Sequence, residues 1–383
     1  MAEQKLPKLK TRVRFPSPAP TPASAGSPGF SDRVIHWQAR FGRHDLPWQG
    51  TRDPYRLWVS EIMLQQTQVT TVIPYYERFM NRFPDVEALA AADENEVLQL
   101  WSGLGYYARA RHLHRSAKQV AGRLGRFPET AHALRELPGV GRSTAAAIAV
   151  FAYGERQAIL DGNVKRVLSR VFAVAGNPAR AAVSAALWSL AESLLPESGI
   201  ETYTQGLMDI GATRCTVRDP RCPDCPLQDL CQARQRGAVH DYPARRAART
   251  VPERAFQMLV VARKGRLLLE KRPEGGIWGG LWSFPEAEVG DDPVEILRRR
   301  WGLRGRPAAA LPPLRHALTH FRLHIHPVCL AVGGEEAESG DAGLLWVDAA
   351  DVAGAAVPVP VRKVLQLLGE FPVDHPDRVF GAE

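Results

Sequence analysis

The segment Ala131-His132-Ala133-Leu134-Arg135-Glu136-Leu137-Pro138-Gly139-Val140-Gly141-Arg142-Ser143-Thr144 decides the fold. A helical run from Ala131 to Glu136 meets a Pro-Gly break, and a second, alanine-rich run begins near Thr144. Two helices joined by a glycine turn form a hairpin. Without side chains at Gly139 and Gly141, a phosphate comes close to the backbone N–H groups of residues 139–141. The start of the next helix adds a dipole that favours an anion. Such contact carries no sequence preference. A plain αα-corner has the same local pattern, so the hairpin needs company before it speaks of function.

That company lies downstream. Cys215, Cys222, Cys225 and Cys231 are four of the five cysteines in 383 residues, with six, two and five residues between them. Four thiolates complete the coordination of zinc or of an iron-sulfur cluster. Structural zinc sites usually use two short C-x2-4-C hooks, and here only the middle gap has that form. Two disulfides are a further reading, against which stand the leftover Cys329 and a start unlike a secretory signal. The spacing favours a cubane [4Fe-4S] cluster.

Bulk properties bound the partners. Lys and Arg number 49 against 41 Asp and Glu, for a net charge of +8, which suits a polyanion. Half of that excess sits in the first 27 residues, where Lys5, Lys8, Lys10, Arg12 and Arg14 face only Glu3. No apolar run approaches the roughly 18 residues of a membrane span. Residues 1–27 are rich in Pro, Ala and Ser and read as a disordered tail; their prolines argue against an amphipathic targeting helix. Residues 28–231 are helical in pattern. Leu113, Ala117, Val120, Ala121 and Leu124 recur on one face before Gly125. Residues 232–254, rich in arginine, read as an interdomain linker. Residues 255–372 hold short strands, at 256–261, 266–270 and 343–347, and a closing helix near 364–368, an α+β pattern; residues 373–383 are a tail.

Five motifs together carry a resemblance. They are Ser60-Glu61-Ile62-Met63-Leu64-Gln65-Gln66-Thr67-Gln68, Gly103-Leu104-Gly105-Tyr106-Tyr107, the hairpin at 137–143, Leu160-Asp161-Gly162-Asn163-Val164-Lys165-Arg166, and the cysteine spacing. The chain resembles the adenine DNA glycosylase (MutY) family over residues from about 31 to 330. The resemblance implies a mainly α N-terminal region, a helix-hairpin-helix glycosylase fold of two helical lobes with a four-cysteine cluster loop, followed by an α+β Nudix-like domain. It implies a monomer acting on double-stranded DNA that carries adenine opposite 8-oxoguanine or guanine. In a bacterium such a protein would be cytoplasmic, with the nucleoid. Two alternatives are an endonuclease III-like glycosylase and lyase acting on damaged pyrimidines, and a non-catalytic cluster-containing DNA-binding protein.

The chemistry of breaking an N-glycosidic bond needs an acid for the leaving base and an anion for the sugar cation. By resemblance, Glu61 protonates adenine at N7 and then activates water. Trp58, Ile62 and Val69 are expected to put apolar bulk on the same helix as Glu61, surroundings of the kind that keep a carboxyl protonated near neutral pH. Asp161 stands before Gly162, where it shapes a turn or caps the next helix. The resemblance assigns it to the sugar cation, with Asn163 and Lys165 nearby. Ser143 occupies the place where strand-cutting relatives of this fold carry a Schiff-base lysine, which implies base removal without strand cleavage. Extruding a base leaves a gap in the stack, and Gln66 and Tyr106 resemble the residues that fill it. Trp48, Arg52 and Gln205 resemble walls of the adenine pocket. Arg218 and Arg221 stand in the first cysteine gap, suited to phosphates.

The second domain resembles a Nudix fold from Arg272 to Pro285, yet no R-E-x-x-E-E cluster follows to hold magnesium. Recognition is therefore expected in place of hydrolysis. The family reads 8-oxoguanine here with a Phe-Ser-His loop, and this chain has Leu318-Thr319-His320. Thr319 keeps the hydroxyl while the aromatic ring is lost. Phe321, Leu323 and Ile325 alternate with Arg322, His324 and His326 as in a half-buried strand, which speaks against a histidine metal site.

Overall fold

The computed structural model describes residues 29–244, 251–318, 321–333 and 343–370. The expectations for the two tails and for Thr319 and His320 lie outside them. Among the described residues twelve α-helices precede the first strand: α1 Phe30–Phe41, α2 Pro54–Leu64, α3 Val69–Arg82, α4 Val86–Ala91, α5 Glu94–Trp101, α6 Ala108–Lys118, α7 Ala131–Leu134, α8 Arg142–Tyr153, α9 Gly162–Val171, α10 Ala181–Ser193, α11 Ile200–Thr213 and α12 Gln232–Gln235. None of the described helices is long and apolar enough to cross a membrane.

The chain divides into two compact units. The first takes residues up to Gln66 and Gln119–Ala248; the second takes Thr67–Lys118 and the chain from Arg249 onward. The first is built round α9, α10 and α11. Val164, Val167, Leu168, Leu187, Leu207 and Ile210 fill its core. Helix α9 places Val and Leu at helical spacing with Arg and Lys between, so one stripe is buried. Burying side chains of this size stabilises by roughly 1.5–3 kcal/mol each before ordering entropy is subtracted. At the crossing of α9 and α11 a Cβ on Gly211 would fall 2.4 Å from Asn163 Cβ, so only glycine lets the two helices approach this closely.

In the second unit, α3–α6 pack with the C-terminal region. There β1 Glu253–Arg263, β2 Arg266–Lys271, β3 Trp282–Ser283, β4 Glu286–Ala287, β5 Gly305–Ala310, β6 Leu314–Ala317, β7 Arg322–Val332 and β8 Leu344–Asp348 form one mixed sheet, with α13 Pro293–Trp301 and α14 Val359–Glu370. Strands β1 and β7 pair in parallel from Glu253↔Arg322 to Ala262↔Ala331, and the remaining pairs are antiparallel. Leu259, Val261, Leu268, Leu297 and Leu330 close the core beneath α13. This is the α+β arrangement expected. Helix α13 carries Arg298, Arg299 and Arg300, with Glu295 paired to Arg298; Glu270 and Glu286 are paired with Arg300 and Arg272.

Four local expectations are corrected. The apolar face that starts at Leu113 does not run straight to Leu124, because α6 passes into a π-helical turn at Gln119–Leu124; Leu113, Ala117 and Val120 are buried, but Leu124 is 42% exposed. One extra residue per turn rotates the face away. Residues 232–244 are no linker: Ala233 of α12 is buried against α9, and Val239 and Tyr242 offer carbonyls to Arg170. Val69 shares no helix with Glu61, since α2 ends at Leu64 and Val69 opens α3 after a turn in which Gln66 is left-handed, φ +58°. Phe321 precedes β7 and is 37% exposed, its carbonyl accepting from Leu318 N–H, whereas Leu323 and Ile325 are buried as expected.

Candidate active site

Glu61 rides on a helix whose surroundings are almost wholly apolar. Asp53 caps α2 by accepting from Tyr55 N–H at 2.9 Å, Pro54 fits the first turn, and Tyr55, Leu57, Trp58, Val59, Ile62 and Met63 are buried. Glu61 itself is half-buried. Protein packed about its carboxyl pushes its pKa up from 4.5 to about 8, by desolvation first and by the charge of Asp161 second. At the end of α2, Gln65 donates to Gly139 O at 3.4 Å and to Thr144 Oγ1 at 3.2 Å. The helix that presents the acid is thereby tied to the hairpin.

Asp161 closes the other side. The buried run Ala158-Ile159-Leu160 brings it to the start of α9, where Oδ1 accepts from Val164 N–H at 2.8 Å and Oδ2 from Asn163 Nδ2 at 3.2 Å. Cap and anion are one residue: the bonds that end the helix also fix the carboxylate that acts on Glu61. Ser143 Oγ accepts from Leu160 N–H at 3.0 Å, which joins α8 to this run. Lys165 N–H bonds Asp161 O as the next turn of helix.

Two arginines on α9 play parts that the sequence reading left unassigned. Arg166 donates to Asn163 Oδ1 at 2.8 Å, to Gly211 O at 2.6 Å and to Cys215 O at 2.6 Å. An unbroken chain of hydrogen bonds therefore runs from the cysteine loop through Arg166 and Asn163 to Asp161. Arg170, 2% exposed, donates to Cys215 Sγ at 3.3 Å and to the carbonyls of Thr216, Val239 and Tyr242. The only hint was their spacing of four along one face of the helix, opposite its apolar stripe.

The hairpin forms as expected. Leu137 and Val140 are buried, Gly139 takes φ +79°, and Gly141 caps α8 with open space where a Cβ would stand. The backbone amides at the start of α8 face no crowding there. Arg142, just inside the helix, stacks over Trp188 at 3.8 Å and pairs with Glu192.

The four thiols are free of disulfides and line one small pocket with Arg170, Arg214 and Arg234. Burial raises Cys222 and Cys231 and pushes Cys225 up to about 12. Among the described residues no three His, Cys, Asp or Glu converge on a single ion. Four cysteine thiols on one loop are a donor set that fits either zinc or an iron-sulfur cluster. Arg218 and Arg221 are exposed on the loop.

The remaining predicted residues separate into two kinds. Gln66 and Tyr106 are exposed and both left-handed, φ +58° and +51°, a strain that non-glycine residues keep only where surroundings impose it. Beneath Tyr106, Arg109 stacks at 5.4 Å and donates to Gly105 O and Thr67 Oγ1. Trp48 is buried, Arg52 pairs with Glu201 at 3.2 Å, and Gln205 donates to Asp209 Oδ1, an acid also held by Arg43. Arg52 and Gln205 are thus engaged with protein groups.

Comparison with known proteins identifies both regions of the chain. Residues 59–193 match the HhH-GPD superfamily of base excision DNA repair proteins, and residues 257–367 match the NUDIX domain. A protein named adenine DNA glycosylase from Buchnera aphidicola subsp. Baizongia pistaciae is 34% identical over 348 residues, spanning 90% of this chain and 98% of its own. One of the same name from Mus musculus is 35% identical, spanning 88% of this chain and 77% of its own. Among solved structures, a thermostable thymine-DNA glycosylase is 31% identical and covers 54% of this chain and 95% of its own, with a TM-score of 0.49. With full-length identity of this order and both domains matched, the chain belongs to the adenine DNA glycosylase family, enzymes of base excision repair.

Proposed function

We propose that this enzyme, as a monomer, removes adenine paired with 8-oxoguanine or guanine and leaves an abasic site. Glu61 donates its proton to N7 of an extruded adenine while the bond from the sugar C1′ to the base breaks and its electrons leave with the purine. Asp161 opposes the positive charge left on the sugar. Glu61, now a carboxylate, takes a proton from water as the water oxygen bonds C1′, which returns the acid to its starting state. Ser143 offers no amine, so the strand stays whole. Gln66 and Tyr106 fill the gap in the stack; Trp48, Arg52 and Gln205 line the base pocket, and Gly139, Val140 and Gly141 meet phosphate.

Cys215, Cys222, Cys225 and Cys231 hold a [4Fe-4S] cluster in this reading. When bound, the cluster supplies a four-point cross-link that orders the loop bearing Arg218 and Arg221. In the second unit, Thr319 and His320 read the oxidised base; the residues on either side of them are joined by Leu318 N–H bonding Phe321 O at 2.8 Å.

The observation that carries the proposal is Glu61, lifted to about 8 beside Asp161. Incubation with duplexes carrying adenine opposite 8-oxoguanine, guanine, cytosine or thymine tests it. Alkali-labile sites should appear with the first two and vanish in Glu61→Gln while binding persists. Turnover retained by that variant refutes the acid assignment, and a strong borohydride-trapped adduct would favour a lyase.

A further inference from the structure

The turn that carries Tyr106 is fastened to the C-terminal region. Ser102, 4% exposed, opens the turn; its hydroxyl donates to Val357 O at 2.8 Å and accepts from Arg362 Nη2 at 3.0 Å. Val357 and Arg362 flank the start of α14, more than 250 residues further along the chain. The turn itself is held from several sides. Tyr75 Oη donates to Ser102 O at 3.1 Å, Trp101 Nε1 donates to Gly105 O at 3.1 Å, and Gly103 N–H bonds Tyr107 Oη at 3.2 Å. Gly103 takes φ +103°, and a Cβ there would strike Tyr75 Oη. A second strut runs from Arg111 of α6 to the carbonyls of Gly279 and Glu274.

Arg362 is the telling residue. It is half-buried, it pairs with no carboxylate among the described residues, and its buried Nε has no hydrogen-bond partner. Its charge acts on the phenol of Tyr107 instead. A half-buried cation with no counter-ion among the described residues costs stability, and well-packed apolar residues would serve a purely structural contact better. We infer that Ser102 and Arg362 are positioning residues for the extrusion step: through them the C-terminal region sets where the 102–107 turn places Tyr106. The inference rests on the reading of Tyr106 as the residue that fills the emptied stack.

The test uses the full chain and a duplex with 2-aminopurine in place of the target adenine, opposite 8-oxoguanine. Fluorescence reports extrusion, and thermal unfolding and DNA affinity are followed in parallel. Arg362→Ala should lower the extrusion amplitude and the rate of adenine release by about tenfold, as expected for a misplaced group, with DNA affinity retained. Ser102→Ala, a milder change, should follow in the same direction, and Arg362→Lys should recover part of the loss. The double variant Arg362→Ala with Tyr106→Ala should be no worse than Tyr106→Ala alone, because both changes remove one function. Fully additive losses, or normal extrusion in Arg362→Ala and Ser102→Ala while Tyr106→Ala is impaired, would overturn the inference alone. Normal extrusion in Tyr106→Ala would overturn the wedge reading and the inference with it.

Discussion

Asp161 raises the proton affinity of Glu61: its charge adds to desolvation in holding the Glu61 carboxyl protonated up to about pH 8. Two acids thus take different roles because their settings differ. Glu61 sits among apolar side chains of α2, and Asp161 accepts two hydrogen bonds at the start of α9.

The pH profile of the chemical step follows from that coupling. In the proposed mechanism protonated Glu61 is the competent form, so the single-turnover rate should be high below pH 8 and fall as pH rises through about 8. Asp161→Asn removes the charge that raises Glu61 and should move its titration downward, seen in carboxyl carbon NMR of the free protein even where turnover is lost. A titration of Glu61 unmoved by Asp161→Asn would show that the two do not interact.

Stability should report the same group. In the unfolded chain Glu61 releases its proton near 4.5, and in the folded chain near 8, so between these values the folded form binds the extra proton. Stability contributed by this site is therefore complete below about 4.5 and is lost progressively as pH rises to 8. Glu61→Gln abolishes the titration. Its melting temperature should rise relative to the parent as pH goes from 4.5 to 8, and an offset independent of pH would contradict the folded value.

Ser143 serves structure as well as chemistry. Its hydroxyl accepts from the N–H of Leu160, which is only 2% exposed. Ser143→Ala leaves that donor unsatisfied at a cost of about 1–3 kcal/mol, to be measured by denaturant unfolding. A variant as stable as the parent would mean that another acceptor replaces the hydroxyl.

Which of these features could be read from residues alone depends on where their partners lie. Gly139 and Gly141 announce a hairpin because φ and access are local properties, and the four cysteines announce a binding loop by crowding. Asp161 before Gly162 reads as a cap for the same reason. Arg166 and Arg170 stayed unassigned because they bind backbone carbonyls of Cys215, Gly211 and Thr216, some 45 residues away, and a carbonyl has no sequence signature. Ser102 and Arg362 are further apart still. The short helix α12 spans four residues, too few for periodicity to show.

If Asp161 acts as proposed, the chain of bonds from Cys215 through Arg166 and Asn163 to Asp161 makes Arg166 a remote support of the reaction. Arg166→Gln removes the fork that serves three carbonyl oxygens together, and adenine release should fall by roughly tenfold or more. The absorbance of the protein and its DNA affinity separate two causes. Loss of colour along with activity would place the defect in the cysteine loop, whereas colour retained with slow release would place it at Asp161.

Gly141 offers the sharpest separation of DNA contact from folding. Its φ of −83° suits any residue, and a Cβ there meets nothing within 4 Å, so Gly141→Ala should fold and lose about 1 kcal/mol or less as a weaker cap. The added methyl nevertheless projects into the open space beside the start of α8, where the proposed phosphate approaches. DNA affinity should drop by about tenfold, the worth of one hydrogen bond to a charged acceptor, equally for matched and mispaired duplexes. Equal loss is the important part, because the hairpin holds backbone and reads no base. Binding that stays unchanged in this variant, measured by fluorescence anisotropy at fixed salt, would mean that the phosphate lies elsewhere and that the hairpin serves only as a corner between helices.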